Sequence, residues 1–181
     1  MTPNIELVRE RIAKISIGPS TLRNQGAKGV IHIAQEFLFD LDLRKLSDIR
    51  SDKKFKRWLE KKTRCLMERF PRGARRNWGA ARKALNIFLE AAFYNRFLAK
   101  EYKLYKLERF LEVPLDRYVV REGLEKEAKC KKLPKWTGIK WLTSKNSKVY
   151  QQYASELASR KGIARIYLDL EFWRRSAINS L

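Results

Sequence analysis

Apolar side chains recur along this chain every three to four positions, and strict alternation of apolar and polar residues hardly occurs. The first spacing places apolar side chains on one face of an α-helix, whereas alternation would indicate a β-strand. The pattern therefore predicts an all-α protein. The expected helices cover residues 4–15, 21–39, 52–70, 79–93, 104–111, a segment beginning at 117, 144–161 and 163–173.

Polar residues at the starts of these segments support the helix boundaries. A side-chain oxygen just before a helix can accept a hydrogen bond from one of its unpaired backbone amides. The residues placed to do so are Ser20, Ser51, Asn77, Asp116 and Thr143. Gly26 and Gly29 weaken the second helix, because glycine is unfavourable inside a helix. The last helix is expected to turn inward Ile163, Ile166, Tyr167, Leu170 and Trp173.

The amino-acid composition gives the chain a strong positive charge. The 181 residues include 41 Lys and Arg against 20 Asp and Glu, a formal net charge of +21. Residues 51–83 hold 13 basic and 3 acidic residues, and residues 129–148 hold 7 basic and none acidic. Such patches are typical of a protein that binds a polyanion, although a generally basic protein with solvated faces would give the same total. The basic segments do not form the single amphipathic stripe of a membrane-surface helix, which disfavours an anionic membrane as the partner.

The segment 69–83 places positive charge where a helix disfavours it. Unpaired amides give the start of a helix a partial positive charge, so that cations there are repelled and anions are held. The helix predicted from Gly79 nevertheless opens beneath six basic side chains, Arg69, Arg72, Arg75, Arg76, Arg82 and Lys83. The arrangement is explained if a phosphate normally docks at this helix start.

Other features narrow the class of protein. Cys65 and Cys130 are too few for a disulfide framework or a metal cluster, and we expect both to be reduced. The first residues lack the apolar core of a signal peptide, and no apolar run is long enough to span a membrane. The single histidine, His32, is expected to pack within a helix. We expect a cytoplasmic monomer, associated with the nucleoid if its source is bacterial, without a cofactor, a metal or a membrane partner.

Two stretches carry a family resemblance. GAARKALNIFLEAAF, residues 79–93, resembles the second helix of the helix-hairpin-helix DNA glycosylases of the endonuclease III type. In that family a hairpin is followed by a basic residue and the catalytic lysine, which correspond here to Arg82 and Lys83. VPLDRYVVREGL resembles the segment that supplies the catalytic aspartate, here Asp116, and YLDLEFW resembles the closing helix of the superfamily. The resemblance is good over about residues 77–120.

The resemblance implies a fold and an activity. It predicts a two-lobed, all-α, glycosylase-like fold in a single domain of residues 1–181, with a central basic cleft. One lobe would hold residues 43–115, a helical barrel with the hairpin at 77–81, and the other residues 1–42 and 116–181. The implied function is a DNA glycosylase, with lyase activity, that excises a damaged or modified base from double-stranded DNA. Repair and phage defence fit this activity equally.

The implied chemistry needs opposite charge states in its two residues. Lys83 would attack the sugar as a neutral amine, so its pKa must fall through burial and through positive neighbours such as Arg82. Asp116 would stay ionised, to take up a proton and to stabilise the cation that develops on the sugar. Without the resemblance, Asp116 also fits an ordinary helix cap, and Lys83 fits a solvated lysine on a polar stripe.

The resemblance also implies DNA contacts. It assigns to the DNA backbone Arg72, Arg75, Arg76, Asn77, Gly79 and Arg82. The candidates to stack on a base are Trp78, Trp136 and Trp141, with core packing as the alternative. Asp169 and Glu171 are expected to form surface pairs with nearby arginines.

Three features depart from the family pattern. Trp78 and Ala81 replace the proline and the second glycine of the hairpin, which makes close approach to a phosphate harder. The interval between Lys83 and Asp116 is longer than in common members and is filled by residues 94–112. The four-cysteine iron–sulfur loop of some members is absent, since no cysteine follows Cys130.

Two other functions stay open. The first is a helical protein that binds DNA or RNA through phosphate contacts alone and catalyses nothing. The second is a metal-dependent nuclease, suggested by Asp116 followed by EAK at residues 127–129. Nuclease sites of that class hold their carboxylates on adjacent strands, whereas this segment is predicted to be helical.

Overall fold

All of the regular secondary structure in the described part of the chain is helical, which confirms the all-α prediction. The computed structural model describes residues 3–128 and 132–178, with residues 174–178 as backbone only. Its α-helices are α1 Ile5–Ser16, α2 Pro19–Leu22, α3 Val30–Phe39, α4 Asp52–Arg69, α5 Trp78–Tyr94, α6 Arg96–Glu101, α7 Lys126–Ala128, α8 Ser144–Arg160 and α9 Leu168–Ile178. A π-helix, Tyr118–Glu125, precedes α7, and single 3₁₀ turns lie at Arg44–Asp48, Leu104–Leu107, Ile139–Trp141 and Arg165–Tyr167.

Three predicted helix caps are confirmed by hydrogen bonds. The Ser51 hydroxyl accepts from the amide of Lys54 at 3.3 Å, and the Thr143 hydroxyl accepts from the amide of Asn146 at 3.2 Å. The Asn77 side chain accepts from the amide of Ala80 at 2.9 Å. Each bond satisfies a backbone donor that has no partner within its helix, so these local signals fix where α4, α5 and α8 begin.

The single helix predicted over residues 21–39 is wrong. Residues 23–29 form a loop between α2 and α3, in which Gly26 and Gly29 have φ angles of +109° and +87°. This loop lies against the turn 71–77, because a Cβ on Gly26 would stand 2.5 Å from the carbonyl oxygen of Gly73. Gly26 and Gly73 therefore form a close backbone crossing that no residue with a Cβ could make.

α5 is the central helix of the molecule. Every residue from Gly79 to Asn86 is buried, on all sides of the helix, because α4 and α1 pack against it and the turn at 139–141 covers its start. A helix that is buried all round needs small side chains where its neighbours approach closely, which explains its alanines.

The buried side chains form two hydrophobic cores. The first is built from residues 12–111 with Ile166, and the second from residues 113–172. The predicted lobes, in which residues 1–42 join residues 116–181, stay a prediction, but the two cores divide the chain differently. Ile12 and Ala34, of α1 and α3, belong to the first core, where α1 packs against both α5 and α6.

The last helix has a different inward face from the predicted one. Leu170 and Trp173 are 50% and 69% exposed, whereas Leu168 and Phe172 are buried in the second core. Ile166 is buried as predicted, and Ile163 and Tyr167 pack against the cores. The 3₁₀ turn at 165–167 precedes α9 and changes its rotational phase, so that Leu168 and Phe172 face inward in place of Leu170 and Trp173. Among the described residues, no helix has the length and apolar character needed to cross a bilayer.

Candidate active site

The structure brings Lys83 and Asp116 together. Lys83 lies on α5, and Asp116 lies in the segment that enters the π-helix; Nζ of Lys83 is 3.7 Å from Oδ2 of Asp116. The lysine side chain is 6% exposed and the aspartate side chain 34% exposed. The amine is therefore almost enclosed, while solvent and small groups reach the carboxylate.

Asp116 uses its two oxygens for different contacts. Oδ1 accepts a hydrogen bond from the amide of Val119 at 2.9 Å, which confirms the predicted cap, and Oδ2 faces Lys83. The cap fixes the carboxylate on the backbone of the π-helix. Its orientation toward Lys83 consequently does not depend on the flexible lysine.

Two further carboxyl groups lie close enough to influence this pair. Glu90 follows Lys83 by about two turns on the same side of α5, and Asp169 comes from the first turn of α9. Burial, with the charges of Asp169 and Asp116, raises the pKa of Glu90 to about 8. Burial and Asp116 also raise the pKa of Asp169 to about 6, against the opposing charge of Lys83. Neither residue was expected at this site from the sequence.

The charge state of Lys83 follows from this environment. Burial lowers the pKa of Lys83. The charges of Asp116 and Asp169 act in the opposite direction, because they stabilise the ammonium form. The prediction that Arg82 would lower this pKa is wrong, because the Arg82 side chain points to another side of α5. Desolvation alone favours the neutral amine.

Arg82 is committed to contacts within the protein. Its Nη2 lies 2.5 Å from Oε2 of Glu60, and its guanidinium stacks on the Trp78 ring at 4.7 Å from the centroid. Trp78 is half-buried and donates its indole N–H to Oε1 of Glu60 at 3.3 Å. The structure thus offers neither the backbone phosphate contact predicted for Arg82 nor a free ring on Trp78.

The start of α5 is closed by protein groups. Asn77 is 5% exposed, and besides capping the helix its amide donates to the carbonyl oxygen and the side-chain oxygen of Gln25. A Cβ on Gly79 would stand 2.0 Å from the carbonyl oxygen of Ile139 and 2.9 Å from Cβ of Leu142. The predicted phosphate contacts of Asn77 and Gly79 are therefore replaced by contacts within the chain.

The remaining predicted arginines form an exposed surface. Arg72, Arg75 and Arg76 are exposed on the turn 71–77, and Arg23 and Lys28 are exposed on the loop 23–29 that crosses it. We call these five residues the double-loop surface. It is strongly basic, and the crossing of Gly26 and Gly73 holds its two loops together. No local sequence signal predicts this arrangement.

The other two candidate tryptophans differ in exposure. Trp136 is 6% exposed and lies edge-on to Tyr150 in the second core, so it has no free face for a base. Trp141 is 65% exposed, with Lys140 over its ring at 5.5 Å. The turn that carries it covers Gly79, one helical turn before Lys83. Of the three candidate tryptophans, Trp141 is therefore the one whose ring is exposed.

His32, Glu171 and Cys65 lie in surroundings that agree only in part with the sequence predictions. His32 is exposed and pairs with Glu36 at 3.2 Å, so it is not packed in a core. Glu171 pairs with Lys161 at 2.8 Å, as a surface carboxylate was expected to do, although the partner is not an arginine. Cys65 is a free thiol, and Cys130 lies outside the described residues.

The nuclease alternative finds no support in the arrangement of its residues. Asp116 is followed by the π-helix and α7, and not by a strand, while Lys129 lies outside the described residues. In residues 3–128 and 132–178, no group of three or more His, Cys, Asp or Glu side chains is arranged to hold a metal ion.

No protein-family model, curated protein or solved structure matches this chain. The relationship to the helix-hairpin-helix glycosylases therefore remains a prediction that rests on the stretches around Lys83 and Asp116.

Proposed function

We propose that the protein is a DNA glycosylase with lyase activity, which excises a damaged or modified base from duplex DNA through a Schiff base on Lys83. One observation carries the proposal: the lysine and the aspartate that the resemblance selects, from separate parts of the chain, meet at 3.7 Å. Two features support the two-lobed glycosylase fold. α4 and α5 pack together as a helical hairpin, and Lys83 and Asp116 meet where the first core adjoins the second.

The geometry supports a defined division of labour. Lys83 Nζ, favoured as a neutral amine by burial, forms a bond to the sugar carbon as the glycosidic bond breaks and its electron pair leaves with the base. Asp116, held by its cap, stabilises the positive charge that develops on the sugar and takes up the proton that the amine loses. The bond between that carbon and the ring oxygen of the sugar then breaks, and the oxygen takes the proton from Asp116 and becomes a hydroxyl. The nitrogen forms a double bond to the carbon, which gives the Schiff base from which the strand can be cut.

DNA contacts in this proposal come from exposed groups. The arginines of the double-loop surface bind the phosphate backbone, and Trp141 offers an exposed ring, on the turn that covers the start of α5, for the nucleotides around an extruded base. Phosphate contacts by the buried Arg82, Asn77 and Gly79 form no part of the proposal. We retain the expectation of a cytoplasmic monomer.

Borohydride trapping tests the proposal. The protein is incubated with a panel of duplexes bearing oxidised, alkylated or deaminated bases, without metal, and base release, strand scission and covalent trapping are scored separately. We expect one class of lesion to yield a trapped complex with wild-type protein and none with Lys83→Ala. Lys100→Ala, which removes an exposed lysine of α6, should trap as well as wild type. Equal trapping by Lys83→Ala would exclude Lys83 as the nucleophile.

The alternative is a helical protein that only binds nucleic acid. The double-loop surface favours it, because exposed arginines bind phosphates without any catalysis. It predicts affinity that falls steeply with salt, no base release from any substrate in the panel, and binding that is unchanged in Lys83→Ala and Asp116→Asn.

A further inference from the structure

A second candidate site lies between α4 and α8, away from the Lys83 pair. A groove of about 860 Å³ separates these helices, and neither Lys83 nor Asp116 lines it. α4 belongs to the first core and α8 to the second, so the groove follows the boundary between them. Its volume lies within the range of about 300–1,000 Å³ that is usual for small-molecule sites. We call it the α4–α8 groove.

Arg82 lines this groove and carries two hydrogen-bond donors that its contacts with Glu60 and Trp78 leave unused. The residue is 6% exposed, and its Nε and Nη1 are buried without a hydrogen-bond partner among the described residues. Glu112 lies 3.7 Å from Nη1, which is close enough for an ion pair but too far for a hydrogen bond. Buried donors nearly always have an acceptor, so this pair of N–H groups indicates a ligand with an acceptor at this position.

Gln151 presents the complementary group. It is 3% exposed, and its Nε2 donates to the carbonyl oxygen of Val113 at 2.7 Å, which fixes the side-chain amide. Its Oε1 is buried and accepts no hydrogen bond. A ligand that satisfies both Arg82 and Gln151 therefore needs an acceptor and a donor. The edge of a nucleobase carries such groups side by side.

The mouth of the groove is cationic. Lys53, Arg57, Arg109 and Lys148 line it, are exposed, and form no ion pair within the described part of the chain. The carboxylates of the lining are already engaged, since Asp52 pairs with Lys56 at 2.5 Å and both Glu60 and Glu112 lie against Arg82. Four exposed cations without an ion-pair partner among the described residues favour a ligand with a phosphate, and the rings of Trp78 and Phe110 in the lining suit an apolar base face.

We propose that the α4–α8 groove binds a nucleotide, with its base edge against Arg82 and Gln151 and its phosphate among the four cations of the mouth. The nucleotide is either a free monophosphate or one unit of a single strand, since both present the same groups. This site does not depend on the chemistry of Lys83 and adds a binding function to the proposed excision.

Calorimetric titration tests the proposal with five probes: deoxynucleoside monophosphates, nucleosides, inorganic phosphate, a short single-stranded oligonucleotide and a matched duplex. The monophosphate should bind more tightly than the nucleoside or phosphate alone. Tighter binding of the oligonucleotide than of the monophosphate would identify a strand as the source of the nucleotide, and the reverse would identify the free nucleotide. Absence of binding by both, or phosphate binding as tightly as the monophosphate, overturns the proposal.

Matched variants locate the binding. The double variant Lys53→Ala/Lys148→Ala should weaken monophosphate binding about tenfold, because each exposed charge contributes up to a factor of about five. Lys54→Ala/Lys145→Ala removes the same charge from neighbouring exposed positions outside the groove and should bind as wild type. Equal weakening in both variants would indicate a general charge effect and overturn the assignment.

Two single variants complete the design. Arg82→Lys keeps the charge but removes Nε and Nη1, and should weaken binding about fivefold or more; if it does not fold, the lysine variants still decide. Lys83→Ala should bind the monophosphate as wild type. Loss of binding in Lys83→Ala would place the nucleotide at the Lys83 pair and refute the groove, whereas absence of Schiff-base trapping would refute the proposed excision alone.

Discussion

Nζ of Lys83 lies 3.7 Å from Oδ2 of Asp116, although one residue belongs to the buried central helix and the other to the segment that begins the second core. The lysine would lose its solvation without gaining a charge partner if this carboxylate were elsewhere. The contact therefore joins the two cores through a lysine whose pKa burial lowers and whose remaining charge Asp116 and Asp169 stabilise.

Asp116→Asn separates the cap from the charge. The asparagine oxygen can still accept from the amide of Val119, so we expect a folded protein with stability within about 1 kcal/mol of wild type. Trapping and base release should fall about 100-fold or more, because the group that stabilises the developing cation is lost. Circular dichroism and single-turnover trapping provide the two readouts. A folded variant with full activity would contradict the catalytic role.

Glu90→Gln should change how stability depends on pH. The folded-state pKa of Glu90 is raised from 4.5 to about 8, so its contribution is fully present below pH 4.5 and is lost as the pH rises through 8. Gln cannot ionise, so the variant should match wild type near pH 4 and exceed it near pH 9, by an amount on the order of a few kcal/mol. Urea unfolding at both values measures this difference.

The matched control for this prediction is Glu68→Gln, which changes an exposed carboxylate on α4. It should shift stability little and equally at both pH values. If Glu90→Gln gives the same difference from wild type at pH 4 and pH 9, Glu90 is not held protonated by the folded structure.

Gly79→Ala tests the closure of the α5 start. The new Cβ would meet the carbonyl oxygen of Ile139 at 2.0 Å, so the turn at 139–141 must move, at a cost of about 1–3 kcal/mol. Gly18→Ala is the control, since nothing lies within 4 Å of its Cβ. Thermal unfolding compares the two, and displacement of the turn should also change Trp141 fluorescence. Equal stability of both variants would show that the turn does not cover Gly79.

Arg75→Ala/Arg76→Ala tests the double-loop surface. Each phosphate contact contributes about 0.9 to the slope of log affinity against log salt for duplex DNA, so this variant should reduce the slope by about 2. Lys54→Ala/Lys100→Ala removes the same net charge from exposed positions elsewhere and should leave the slope close to wild type. Duplex affinity measured between about 50 and 200 mM salt gives the slope for each variant and distinguishes the two. Identical slopes would exclude this surface as the phosphate contact.

Helix starts could be predicted from the sequence because the contacts that define them are local. The caps at Ser51, Asn77 and Thr143 are made within a few residues of each helix start, so their side chains alone fix the boundaries. The loop in the stretch 21–39 could not be predicted, because it is stabilised by a crossing of Gly26 with Gly73, which is far along the chain. Nor could the phase of α9, since a preceding turn determines which of its residues face inward.

The same distinction applies to the candidate site. Residue types and helical periodicity indicated an all-α, strongly basic chain, because both are local properties of a sequence, and the resemblance of two stretches to the glycosylases selected Lys83 and Asp116. Three further features follow from the folded chain: Arg82 turns to Glu60, the start of α5 is closed, and Asp169 lies near both Lys83 and Glu90. Burial and electrostatic coupling depend on segments that meet only after the chain has folded, and no local pattern encodes them.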